Sequence, residues 1–194
     1  MDIKELITEN ENIIWEGKPN KTLYIWSTVL PQLPFALIWF VMDYFIITSF
    51  LGAENASEML FILIPFFAIH LMPVWIVLWA LFKNSVQYKN VLYAITDKRV
   101  IIKDGLVGID FESIDYAEID KISVNVSIFE KLSNVGTIKL KVDSYTYNLQ
   151  AIENPYEIFK RVQKISFDVK TDINYPNAKR PENNPGYNTK YDAK

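Results

Sequence analysis

Hydrophobic residues are concentrated in one long, nearly uncharged stretch, residues 23–82, between two segments rich in Lys, Asp and Glu. Within it, the runs 23–42 and 59–82 lack the polar face that a surface helix shows. A helix needs about 20 apolar residues to cross the roughly 30 Å hydrocarbon layer of a membrane. Both runs meet that length, so the pattern predicts a two-helix transmembrane hairpin over residues 22–84.

Basic residues lie close to this stretch on both of its flanks. Lys18 and Lys21 precede the first run, Lys83 and Lys89 follow the second, and the connection 52–58 carries no Lys or Arg. Lys and Arg near the ends of a span favour the cytoplasmic side. The acidic N-terminal segment also lacks the order of regions found in a cleaved signal peptide. We therefore expect a protein of the cell membrane that crosses it twice, with both termini in the cytoplasm.

Two ionisable residues, Asp43 and His70, fall within or beside the apolar runs. An ionisable side chain at membrane depth is costly and marks a candidate functional group. If the first helix continues to Leu51, Asp43 lies inside the bilayer and can meet His70 as a proton-responsive intramembrane pair. If the helix ends near Met42, Asp43 lies at the outer interface and residues 44–51 lie along the membrane surface. The pattern favours the second arrangement, and it favours a packing role for His70.

Beyond residue 84, apolar and polar residues alternate in short runs. In the run 137–142, Ile138, Leu140 and Val142 point one way and the intervening lysines point the other. Alternation interrupted by turn residues, such as Gly105 with its access to positive φ, is typical of an antiparallel sheet with one buried face. The pattern predicts six strands, at residues 91–96, 99–103, 109–115, 119–127, 137–142 and 145–152.

One helix and a polar tail follow the last predicted strand. Asn154 is placed to cap a helix that begins at Pro155, and apolar residues then recur at helical spacing. A mostly β domain closed by one amphipathic helix is therefore expected over residues 85–169. Residues 170–194 are rich in Asn, Pro and Lys and have little to bury. They are expected to form an extended tail that either docks on a protein surface or stays disordered.

Composition limits the chemistry that the chain can perform. The absence of Cys excludes disulfides, thiolate nucleophiles and Cys-ligated metals. A single histidine cannot build a histidine-based metal site, and the common phosphate-binding, dinucleotide-binding, hydrolase and zinc-protease motifs are missing. The net charge of −3 argues against nucleic acid as a partner. We therefore expect a protein that is not an enzyme and needs no cofactor.

An acidic cluster is the nearest approach to a metal site in the sequence. Its spacing differs from that of a calcium-binding loop, and strand alternation exposes several of its carboxylates. A solvated surface is therefore favoured over cation binding. The cluster consists of Asp110, Glu112, Asp115, Glu118 and Asp120.

Four motifs follow one another in the charged parts of the chain: IIWEGKP, VLYAITDKRVIIKDGLVG, EIDKISVNVSIFEKLSNVGTIKL and IENPYEIFKRVQK. In this order, over residues 10–168, they resemble the bacterial pleckstrin-homology-like (PH-like) domain of small membrane proteins, in its second bacterial class. The resemblance implies a bent, seven-stranded antiparallel sheet capped by a C-terminal helix. We expect residues 12–16, within the N-terminal segment 1–21, to supply the first strand. The hairpin would then be an insertion between the first two strands; the alternative for 12–16 is an interfacial helix or linker.

These features predict a non-enzymatic module that is held at the cytoplasmic face of the membrane and binds a protein partner. A second copy of the chain is left open as that partner. One alternative is a subunit of a membrane transport or envelope-stress system that uses Asp43 and His70. Another is a sensor of anionic lipid, weakened by the neighbouring aspartates. Its candidate membrane-surface contacts are Lys83, Lys98, Arg99 and Lys103.

Overall fold

The computed structural model describes residues 3–52 and 56–174 of the 194-residue chain. The chain forms two compact units. One contains the residues up to 24 and those from 87 onward, and the other contains residues 25–86. In sequence, the second unit is therefore an insertion in the first.

The described residues form seven strands and six α-helices. The strands are β1 (Ile13–Gly17), β2 (Leu92–Thr96), β3 (Arg99–Asp104), β4 (Asp110–Asp115), β5 (Lys121–Asn125), β6 (Val135–Val142) and β7 (Tyr145–Glu153). The helices are α1 (Lys21–Trp26), α2 (Leu33–Leu51), α3 (Ala56–His70), α4 (Met72–Gln87), α5 (Ile128–Leu132) and α6 (Pro155–Asn174), with a 3₁₀ turn at Ile3–Glu5.

The strands of the first unit form two antiparallel sheets, in the orders β1-β2-β3-β4 and β5-β6-β7. The resemblance implied a single seven-stranded sheet, and this expectation is corrected: the ladder is interrupted after β4 by the turn at residues 116–118. β1 comes from the N-terminal segment, one residue later than the predicted strand, and pairs with β2. The N-terminal segment is therefore an edge strand of the larger sheet.

The larger sheet is buried on both of its faces. Tyr93 and Ile95 lie on one face of β2, and Ala94 lies on the other, packed with Ile101 of β3. Ile3, which is fully buried, packs against Ala94 and Ile101 from the N-terminal turn. Residues 3–7 therefore cover the outer face of this sheet, a role that periodicity did not reveal.

The smaller sheet is half-buried, as its alternation predicts. Ile138 and Leu140 of β6 are completely buried. The helix α6 packs on β5 and β6 and buries Ile158, Val162 and Ile165 along one stripe. This helix continues to Asn174, so the first five residues of the predicted tail are helical; residues 175–194 lie outside the described residues.

The second unit is helical, but its helices differ from the two predicted spans. Residues 27–32 are a turn, which contains Pro31, and α2 begins at Leu33 with a proline at its second position. α2 then continues for 19 residues to Leu51 because no helix breaker follows Met42. The favoured arrangement, in which the helix ends near Met42, is therefore not the one found.

The second predicted span is broken rather than continuous. α3 ends at His70, α4 begins at Met72, and the segments 60–70 and 72–87 are bent by 55° relative to each other. Pro73 is the second residue of α4, and it accounts for the break because it has no N–H to bond the carbonyl four residues earlier, in α3, and its ring clashes with that carbonyl. Among the described residues, one helix, α2, is long and apolar enough to cross a membrane; the bent pair is a second only if it acts as one span.

Candidate functional site

Asp43 and His70 meet inside the helical unit. Asp43 lies near the middle of α2, with a side chain only 1% exposed, and His70 is the last residue of α3. Nδ1 of His70 lies 2.7 Å from Oδ1 of Asp43, which is a hydrogen-bonding distance. Continuation of α2 beyond Met42 is what brings Asp43 to this position.

Aromatic side chains enclose the imidazole of His70. The ring of Phe66 is stacked on it with centroids 5.1 Å apart, and the ring of Trp39 lies 5.2 Å away. Trp39 also donates a hydrogen bond from Nε1 to the carbonyl oxygen of His70, at 2.6 Å. These contacts fix both the end of α3 and the direction of the imidazole, which remains 29% exposed.

The pair leaves one buried oxygen unsatisfied. Oδ2 of Asp43 has no hydrogen-bond partner among the described residues. A buried carboxylate needs compensation for its lost hydration, and here the imidazole supplies it at one oxygen only. Chemically, the pair is a carboxylate and an imidazole at hydrogen-bonding distance, an arrangement that can share a proton between its two groups.

Arg99, one of the four predicted membrane-surface contacts, is bound to other protein groups. It donates hydrogen bonds from Nε and Nη2 to the two carboxylate oxygens of Glu11, at 2.9 and 3.0 Å. A further bond from Nη2 reaches the carbonyl of Leu6 at 2.8 Å. The guanidinium therefore fastens the N-terminal segment to β3.

The three lysines predicted beside Arg99 have different surroundings. Lys98 lies in the turn between β2 and β3, with Nζ 3.5 Å from the carbonyl oxygen of Glu9. The ammonium group of Lys103 lies 5.8 Å from the centroid of the Phe111 ring. Lys83 belongs to α4 in the other unit.

Glu11 is a buried group that sequence reasoning missed. Its burial by itself raises the pKa, but hydrogen bonds from Arg99, Thr8 and Thr96 outweigh this effect and lower the pKa to about 2. Thr96 Oγ1 donates to Oε1 of Glu11 at 2.8 Å. An isolated Glu in a polar segment carries no periodic signal, and only its partners in the fold, 85 and 88 residues away, reveal it.

A second contact closes the same junction. Both oxygens of Asp97 accept hydrogen bonds from Asn12, one from its backbone N–H and one from its side-chain amide, each at 3.0 Å. Asp97 therefore holds Asn12, the residue that precedes β1.

The acidic cluster is spread along β4 and the turn after it. Asp110 lies opposite Asp104 of β3 in the register, and burial followed by the charge of Asp110 raises the pKa of Asp104. Burial, with the charges of Asp104 and Asp110, also raises the pKa of Glu112. Among the described residues, no group of three or more carboxylates or histidines is arranged to hold a metal ion.

Two solved structures resemble part of the chain. One is a protein with a pleckstrin-homology domain from Shewanella loihica: the identity is 19%, the alignment covers 39% of this chain and 71% of that one, and the TM-score is 0.30. The other is a pleckstrin-homology domain from Shewanella amazonensis, with 20% identity, coverage of 39% and 66%, and a TM-score of 0.32. No curated protein matches the sequence.

The sequence model of the bacterial PH domain matches residues 29–180, well over half of the chain. That range takes in the inserted helices as well as the strands from β2 onward and α6. The chain belongs to the bacterial PH domain family.

Proposed function

We propose that this chain is a membrane-anchored interaction module in which the helical unit lies in the bilayer and the PH-like unit binds a protein partner. The observation that carries the proposal is the apolar outer surface of the helices. Phe61 is 88% exposed, Ile69 is 74% exposed and Ile62 is 71% exposed in α3. In α2, Ile38 and Phe45 are each 64% exposed. A surface of this kind is stable only under a lipid or protein cover.

The dimensions of the helices support a bilayer as the cover. At 1.5 Å per residue, a helix of the length of α2 spans about 28 Å, close to the hydrocarbon thickness. We propose that α3 and α4 return through the membrane as one bent span. Lys18 and Lys21 precede α2, Lys83 lies near the end of α4 and Lys89 follows it, and this distribution favours a cytoplasmic position for both termini.

Anchoring gives the PH-like unit a functional advantage without any chemistry. A domain confined to the membrane plane meets other membrane proteins at a raised effective concentration, so that a weak contact suffices. We propose a non-enzymatic role on this basis, with a protein, or a second copy of the chain, as the partner.

The first test of the proposal is the behaviour of the full chain during fractionation. The expected result is that the protein sediments with membranes, resists extraction at alkaline pH and needs detergent to stay monodisperse. A chain that stays soluble and monodisperse without detergent would contradict the proposal.

The geometry of Asp43 and His70 favours a second candidate, a subunit of a transport or envelope-stress system that responds to protons. Asp43→Asn and His70→Ala each remove one ionisable side chain from the pair. Under the first proposal, partner capture by crosslinking in membranes is unchanged in both variants. Loss of a pH-dependent response with partner capture intact would favour the second candidate.

A further inference from the structure

The short helix α5 presents its apolar side to solvent and its acidic residue to the protein. Ile128 is 82% exposed, Leu132 is 85% exposed and Phe129 is 51% exposed, whereas Glu130 is 5% exposed. A helix on the surface of a soluble domain normally has the opposite arrangement. The exposed apolar side of α5 would therefore be stabilised by contact with an apolar surface outside the domain.

The orientation of α5 is fixed by hydrogen bonds. Glu130 accepts a bond at Oε2 from the backbone N–H of Ser127 at 2.7 Å, and Ser127 Oγ accepts one from the N–H of Glu130 at 3.4 Å. This capping box holds the first turn. Thr137 of β6 also donates to Oε1 of Glu130, at 3.4 Å. Because Glu130 is held inward, the apolar residues are held outward.

The strands that α5 connects carry a basic face. In the register of β5 and β6, Asn125 lies opposite Thr137, Ser123 opposite Lys139, and Lys121 opposite Lys141. At about 3.3 Å per residue, the Ser123–Lys139 and Lys121–Lys141 pairs follow the Asn125–Thr137 pair at roughly 7 and 13 Å along the hairpin. Like charges directly opposite each other are unfavourable, so an anionic surface would stabilise this face.

Uncharged residues occupy the remaining positions of that face. They include Thr146 and Asn148 of β7, which lie opposite Lys141 and Lys139. Asp120 directly precedes Lys121 and is the carboxylate nearest to these lysines in sequence. Its Oδ2 accepts a hydrogen bond from the backbone N–H of Asp143 at 2.7 Å.

We propose that α5 and the lysine face of the β5–β6 hairpin dock on an anionic phospholipid bilayer. Ile128, Phe129 and Leu132 enter the boundary between headgroups and acyl chains, and Lys121, Lys139 and Lys141 lie near the phosphates. A bilayer presents an apolar layer and then a charged layer, in the order in which the hairpin presents its apolar tip and then its lysines. Salt screens the attraction between a lysine and the phosphates beyond about 8 Å. Lys139, which is closer to the apolar tip than Lys121 and Lys141, therefore contributes most to the attraction.

The inference rests on the proposed anchoring, which keeps the PH-like unit near the bilayer. It assigns lipid contact to a different surface from the turn at Lys98 and Arg99, where the guanidinium is bound to Glu11.

Because the chain has no cysteine, a single introduced cysteine gives a unique labelling site. Leu132→Cys carries an environment-sensitive fluorophore on α5. The matched control is Val107→Cys, an apolar residue 97% exposed in the turn between β3 and β4. Both full-length variants are placed in nanodiscs of phosphatidylcholine alone or mixed with phosphatidylglycerol.

The expected result is a blue shift at position 132, with quenching by spin-labelled lipid, in the anionic discs. The effect is weaker in discs of phosphatidylcholine and absent at position 107. The double substitution Lys139→Glu with Lys141→Glu weakens docking about tenfold or more. Lys160→Glu, an exposed lysine on α6, leaves docking unchanged.

Each contrary outcome has its own meaning. A fluorophore at position 132 that stays in water, in discs that the protein has entered, overturns the inference and leaves the anchoring intact. Shielding without lipid quenching overturns it in favour of a protein cover or a second copy. Equal quenching in both kinds of disc overturns the role of the lysines. Failure of the chain to enter discs, seen by gel filtration, contradicts the anchoring itself.

Discussion

The contact between Glu11 and Arg99 shows how single residues hold the N-terminal segment in the fold. The side chain of Glu11 is completely buried, and the guanidinium of Arg99 bonds to both of its carboxylate oxygens. Paired charges of this kind are tolerated in a protein interior because each compensates for the lost hydration of the other. Removal of one partner leaves the other buried and unpaired.

Arg99→Ala is therefore expected to destabilise the PH-like unit by about 3 kcal/mol. For a domain of about 100 residues, this corresponds to a fall in Tm on the order of 10 °C, measured by thermal unfolding in detergent. The matched control is Arg161→Ala, which removes an exposed pair with Glu157 one helical turn away, at 3.0 Å. That variant should lose about 0.5 kcal/mol or less. Equal losses in the two variants would contradict the structural role of Arg99.

The pKa of Glu11 predicts a specific dependence of stability on pH. The folded-state pKa of about 2 lies below the ordinary value of 4.5, so the unfolded chain binds the proton more readily. The stabilisation is fully present above pH 4.5 and is lost as the pH falls toward 2. The Tm of the wild type should therefore fall as the pH drops from 4.5 toward 2. Glu11→Gln should have a lower Tm at neutral pH, and its Tm should change less across this pH range. Parallel profiles would contradict the lowered pKa.

At the scale of elements, alternation predicted the strands because period-two patterns report which face is buried. The helix α5 was missed because its five residues, Ile128–Leu132, are too few to show helical periodicity, and they directly follow the alternating run 119–127. A local signal was nevertheless present, since Ser127 and Glu130 have the spacing of a capping box. The prolines of the apolar runs, Pro73 among them, predict kinked spans, and the 55° bend between α3 and α4 agrees with this expectation.

The turn between β3 and β4 gives a prediction at this scale. Gly105 has a φ of +131°, and a Cβ built there would lie 2.3 Å from the carbonyl oxygen of Gly108. Gly105→Ala should therefore destabilise the unit by about 2 kcal/mol or more. Gly108→Ala is the control, since its Cβ would meet nothing within 4 Å. The two can be compared by Tm, and a similar Tm for both would contradict the strain at Gly105.

At the scale of the whole molecule, the order of motifs predicted the PH-like fold, but contacts between distant residues could not be predicted. Periodicity gives the face on which a residue lies, not its partner. The contact of Glu11 with Arg99, 88 residues away, is an example. The pairing of Asp43 with His70 was one of two arrangements that the sequence left open, and it forms because α2 continues to Leu51. The division into two sheets likewise depends on pairing that single-strand patterns do not encode.

The central claim is that the apolar unit crosses the bilayer and leaves the PH-like unit on the cytoplasmic side. The most direct test is labelling of single cysteines with a membrane-impermeant maleimide in intact cells. Asn55→Cys lies in the sequence between the two apolar runs, and Thr146→Cys lies on an exposed position of β7. The account predicts that position 55 is labelled in intact cells and position 146 only after permeabilisation. Labelling of position 146 in intact cells would contradict it.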